Sequence, residues 1–164
     1  MTDFAAAVSA RRTSGSLGAY GIQFGINEYQ SQFYEFIVEG ASYSIWRYDN
    51  GGWTALQDWT ASGYINTGAN WNRLKVIRNG ASIVVYVNDQ LLATVSDSYF
   101  TGLRWIGLVA YSPEGSALDA RFDDFTLYPV NCGSSAASAA GNGFELGGPG
   151  GREAPVPPGL DQLR

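Results

Sequence analysis

The chain has no histidine, one cysteine (Cys132) and one lysine (Lys75). Each scarcity removes a class of chemistry. Without histidine there is no Ser-His or Cys-His catalytic pair, and the commonest zinc ligand is missing. A single cysteine allows neither an internal disulfide nor a multi-cysteine metal site. Ten Lys and Arg stand against fifteen Asp and Glu, giving a net charge of −5 and a pI near 4.5. Phosphate-backbone binding rests on clustered cations, so nucleic acid is not an expected partner. No apolar run approaches the ~20 residues of a membrane span. The start, MTDFAAAVSARR, ends in small residues but lacks the basic n-region of a signal peptide, so it reads as a strand. No Asn-X-Ser/Thr sequon occurs, and no segment keeps a helical period of useful length.

What is present points to β-structure. Apolar residues make up 45% of the 164 positions and aromatics 14%, enough for one globular domain with its own core. Residues 74–95, LKVIRNGASIVVYVNDQLLATV, form the clearest unit. Leu74 and Val76 alternate with Lys75, and Ile83, Val85 and Val87 alternate with Val84 and Tyr86. Asn79-Gly80 and Asn88-Asp89 tolerate the positive φ of tight hairpin turns. The pattern predicts a three-stranded antiparallel meander, with further strands beside its edges.

Further strands are predicted over 4–12, 20–25, 33–38, 43–48 and 53–56, with an irregular crossing at 59–65. Ser96 opens a loop. Residues 105–111 are nearly continuous in apolar character, which predicts a central strand covered on both faces. Residues 117–128 close the series. After Val130 the chain becomes Ser/Ala/Gly-rich and then proline-rich, so 3–130 reads as one β-sandwich domain and 131–164 as a low-complexity linker or tail.

The stretch from Trp71 onward, WNRLKVIRNG…VYVND…WIGLVAY…RFDDFTLYP, resembles the second half of concanavalin A-like sandwich domains. ARRTSGSLGAYGIQFG and YSIWRYDNGGWTALQDWTAS are similar to the same group. Within it the nearest likeness is to laminin-G-like and 3-keto-disaccharide-hydrolase-type domains of bacterial surface proteins. The resemblance implies an all-β, antiparallel jelly-roll sandwich with a flexible Gly/Pro/Ala-rich tail. It also implies a binding module that acts outside the cytoplasm or at the cell surface on carbohydrate or a cell-surface glycan, or else a glycosidase-like enzyme. Such domains carry one or two strands before the position of Phe4. The resemblance therefore implies a sheet edge there that is either exposed or covered by something else, and the exposed case brings a third reading: a structural subunit that self-associates through that open edge or the tail.

Glucan hydrolases of the wider group carry Glu-Ile-Asp-x-Glu on one strand. Here the nearest string is Glu35-Phe36-Ile37-Val38-Glu39, with Ile37 in the middle. Four residues of strand put Glu35 and Glu39 ~13 Å apart, beyond the ~5–5.5 Å of a retaining pair. They are read as solvent-facing or loop-bonding, and no catalytic residue is assigned. Asp119, Asp123 and Asp124 do not supply the 6–8 converging oxygens that calcium needs. No metal and no cofactor is expected.

The aromatic cluster is the better candidate. Trp46, Tyr48, Trp53 and Trp59 flank an Asp-Asn-Gly-Gly turn, with Arg47 and Asn50 as nearby donors. Aromatic rings stack on the apolar face of a sugar while polar groups bond its hydroxyls. The competing reading sends Trp53 or Trp59 into the sandwich core. In the tail, Phe144 and Leu146 are expected to dock on the sandwich or on a neighbouring copy, with Pro155 onward loose.

Overall fold

The computed structural model describes residues 3–15, 18–100, 105–112, 117–130 and 155–159. Among these residues ten strands follow one another: β1 (Phe4–Ser14), β2 (Ala19–Ile26), β3 (Gln32–Glu39), β4 (Ser42–Asp49), β5 (Gly52–Ala61), β6 (Asn72–Asn79), β7 (Ser82–Val87), β8 (Gln90–Ser96), β9 (Trp105–Tyr111) and β10 (Asp119–Pro129). They form two five-stranded antiparallel sheets, ordered β10-β1-β6-β7-β8 (sheet A) and β5-β4-β3-β2-β9 (sheet B). The result is an all-β sandwich of jelly-roll type. Among the described residues no helix is long and apolar enough to cross a membrane.

Side chains alternate along a strand, so every second residue of each sheet faces the other sheet. Phe4, Ala6 and Val8 of β1, Leu74 and Val76 of β6, and Ile83, Val85 and Val87 of β7 meet Tyr20, Ile22, Phe24, Phe36 and Ile45 of sheet B. The meander forms as its pattern predicts, with Leu74 opposite Val87 and Val76 opposite Val85. Asn88 (φ +49°) and Asp89 (φ +64°) fill its second turn. Asn88 also acts as a clamp: its Oδ1 accepts from the Arg73 N–H at 2.8 Å, and its amide donates to the Tyr64 carbonyl at 2.8 Å. Buried Asn72 ties the sheets together, since its amide donates to the Tyr20 hydroxyl (2.9 Å) and to the Asn66 carbonyl (2.8 Å).

Four expectations are corrected. β1 is not an open edge: β10 returns beside it and β6 pairs on its other side. Residues 105–111 form an edge strand, not a central one, and Trp105, Leu108 and Ala110 are exposed. The strands buried along their whole length are β2 and, but for one residue, β3. Residues 59–61 belong to β5, which persists through two register shifts opposite Ser44 and Ile45. Finally, residues 155–159 are not loose, and Pro157 is buried. Phe144 and Leu146 lie outside the described residues.

Candidate functional site

Sheet B has two faces, and the outward one is also apolar. Ala19 of β2, Ile37 of β3, Trp46 of β4, and Val109 and Tyr111 of β9 form a second cluster there, separate from the inter-sheet core. Trp53 and Trp59 of β5 pack against it, half-buried. The alternation explains this: the strand positions that do not face sheet A must face outward, and here they carry rings and branched chains instead of charges.

At the β3–β4–β5 end four rings touch one another. Tyr48 stacks on Phe33 with centroids 5.0 Å apart and leans on Trp53 at 4.8 Å. Trp53 meets Phe33 edge-on at 5.7 Å and Trp46 at 6.1 Å. Trp46 is only 6% exposed, and its indole N–H donates to the Ser44 hydroxyl at 2.8 Å. Its role is to support the layer from beneath, whereas Tyr48 and Trp53 are the half-buried rings that reach solvent. Phe33, which the sequence reading did not single out, completes the group. Its parity with Glu35 and Ile37 on one strand was the available signal.

The predicted polar residues divide. Asn50 (φ +46°) sits exposed in the turn beside these rings, its amide donating to Asp49 Oδ1 at 2.8 Å. Arg47 points to the opposite face. Its guanidinium pairs with Asp97 at 2.5 Å and lies over the Tyr99 ring, 4.0 Å from the centroid. The Tyr99 hydroxyl in turn donates to Asp49 Oδ2 at 2.8 Å. Hydrogen bonds from Gln32 and Tyr99 hold the Asp49 carboxyl below its usual range. Arg47 therefore braces the turn from below and presents no donor to the aromatic face.

The two strand acids also lie on the outward side, yet both are buried, so neither faces solvent. Glu39 bonds a loop, accepting from the Gly18 N–H at 2.9 Å. Glu35 Oε2 accepts from the Tyr111 hydroxyl at 2.7 Å and the Gln23 amide at 3.1 Å, while Oε1 has no hydrogen-bond partner. Burial pushes its carboxyl up to about 7, against the pull of the Tyr111 and Gln23 hydrogen bonds. Tyr111 is raised well above the usual phenol range, first by burial and then by the neighbouring carboxylate. A neutral carboxylic acid is tolerated in an apolar layer, whereas a lone charge is costly there.

Trp59 stands at the other end of β5. Its indole N–H donates to the Pro158 carbonyl at 3.1 Å, so the C-terminal segment rests on this ring. Among the described residues no group of three or more acidic or cysteine side chains is arranged to hold a metal ion.

No protein-family model and no curated protein matches the chain. Solved structures do match its fold. It is similar to the carbohydrate binding module CBM66 from Bacillus subtilis, with a TM-score of 0.66 and 19% identity over 77% of this chain and 75% of that one. It is similar to sheep galectin-11, solved in complex with glycerol, with a TM-score of 0.60 and 10% identity over 78% of this chain and 91% of that one. A third similarity is to alginate lyase A1-II′, at a TM-score of 0.60 and 10% identity, covering 79% of this chain and 63% of the lyase. Likeness at such identities speaks to the fold alone: the chain shares the antiparallel jelly-roll sandwich of these structures.

Proposed function

We propose that the protein is a non-catalytic carbohydrate-binding module of an extracellular or cell-surface protein, taking a sugar on the outward face of sheet B at its β4–β5 end. The observation that carries this reading is the contiguous group of Phe33, Trp46, Tyr48 and Trp53 on the face turned away from the core. A sandwich needs one apolar interface between its sheets, and Tyr48 and Trp53 are not part of it. Tyr48 and Trp53 supply the ring faces, Asn50 supplies amide and carbonyl groups at the rim, and Trp46 holds the layer rigid. Trp59 continues the outward face along β5, but its ring is taken up by the C-terminal segment. The likeness to a carbohydrate binding module and to a galectin supports the same reading.

A glycan array with the full chain tests it. One sugar class should be retained, and Tyr48→Ala and Trp53→Ala should each weaken it about tenfold, which is about 1.4 kcal/mol. No retention by the wild type, or unchanged affinity in both variants, would sink the reading.

A glycosidase-like reading has one observation in its favour, the raised carboxyl of Glu35 beside Tyr111. Its weakness is geometric. Glu39, four strand residues away, is ~13 Å along the strand, and a retaining pair needs ~5–5.5 Å. Glu35→Gln and Glu39→Gln should leave any hydrolytic activity intact, and an activity abolished by either change would reinstate the enzyme.

A further inference from the structure

The contact between Trp59 and the C-terminal segment has the marks of a built site. β5 carries two extra residues opposite Ser44 and Ile45. Bulges of this kind re-aim a side chain, and here the Trp59 backbone N–H leaves the ladder for Asp58 Oδ1 at 2.8 Å. The ring is thereby set against the outward cluster. Its N–H can only donate, and the acceptor it meets, the Pro158 carbonyl, comes from off the sheet.

The segment that supplies the acceptor is shaped for it. Pro157 and Pro158 have no N–H and cannot add to β5 as a further strand, which leaves carbonyls and ring surface as their means of attachment. Pro158-Gly159 lies in a tight turn, with Gly159 at φ +80°. That is the value for the second central residue of a type II turn, in which proline favours the first. The Pro158 carbonyl accepts from the Trp59 indole at 3.1 Å. A Cβ on Gly159 would come within 3.0 Å of Trp59 Cδ1 and 3.2 Å of Nε1. Both the backbone conformation and the close approach therefore require glycine at this position.

We propose that Trp59 is a docking site for a Pro-Pro-Gly turn, and that the chain's own residues 157–159 occupy it in cis. The site's ligand class is thus a proline-rich peptide read through one indole N–H, one ring face and one obligatory glycine. It does not depend on the sugar-binding reading, because it rests on a different contact.

The test uses the full chain, labelled with nitrogen-15. Of its five tryptophan indole signals, that of Trp59 is identified by its loss in W59F. In the wild type this proton should exchange with solvent at least tenfold more slowly than in P158A/G159V, with the other four signals unmoved. A synthetic peptide of residues 153–161 should restore the protection in P158A/G159V, and the same peptide with alanine at 157–159 should not. The wild type should need at least tenfold more peptide, since a tethered copy competes at an effective concentration on the order of millimolar. Identical Trp59 exchange in wild type and variant, or failure of the peptide to bind the variant, would overturn the proposal. Protection that fades on dilution would overturn the assignment in cis.

Discussion

Glu35 is the residue whose surroundings most oppose its ordinary chemistry. It is fully buried, yet only one of its carboxyl oxygens is hydrogen-bonded. Its native carboxyl titrates at about 7 against 4.5 for an ordinary glutamic acid. Between those values the folded protein holds a proton that the unfolded chain has released. Stability linked to this group is therefore fully present below about 4.5, declines as the pH rises, and levels off above about 7. One group gives a slope of at most about 1.4 kcal/mol per pH unit. Chemical denaturation at several pH values should show this decline in the wild type and a flatter profile in Glu35→Gln. Equal slopes in the two proteins would show that Glu35 is not the titrating group.

Among the elements, β2 and β3 run so close that one glycine is obligatory. A Cβ on Gly21 would lie 2.0 Å from the Phe36 carbonyl oxygen and 2.8 Å from Ile37 Cα, both backbone atoms of the adjacent strand. Neither can yield without breaking the β2–β3 ladder. Gly21→Ala should cost at least about 2 kcal/mol, a fall of roughly 4–8 °C in Tm for a chain of this size. Gly63, whose Cβ would meet nothing within 4 Å, gives the control, and Gly63→Ala should leave Tm nearly unchanged. A similar Tm for the two variants would contradict the packing described here. β5 shows the opposite device, in which two register shifts loosen the ladder and place Trp59 on the outward face. Nothing in its residue pattern signals those shifts, because the sequence LQDWTAS fits a broken crossing as well as a bulged strand.

At the scale of the molecule, polar side chains join the two sheets at their rims. Arg47 of β4 pairs with Asp97, just beyond β8, and Asp97 also accepts from the Tyr34 hydroxyl of β3 at 2.6 Å. Burial and this carboxylate push the Tyr34 phenol up to about 12. Arg47→Met should lower unfolding free energy by about 1–3 kcal/mol, the cost of leaving a mostly buried partner under-bonded. The double variant R47M/D97N should lose less than the sum of the two single changes, because both remove the same interaction. Strict additivity would mean that the pair contributes no coupling between the sheets.

The sequence by itself determined the fold class and the meander. A period of two needs no distant partner to be read, and Asn88-Asp89 with Gly80 dictate tight reversals through their backbone preferences alone. It likewise determined that Trp46 and Tyr48 share a face, since parity along a strand is local. Only the tertiary structure decided which strands became edges. An apolar run at 105–111 is consistent with a central strand, but lateral position depends on which neighbours arrive, and β10 paired with β1 while β9 received β2 alone. The same holds for Glu35, which looks like a surface acid in sequence and is buried because Gln23 and Tyr111 converge on it from β2 and β9. Trp59 and the Pro-Pro-Gly turn are 99 residues apart in the chain. Contacts at such separation follow from how the sheets close, a property that no local pattern encodes.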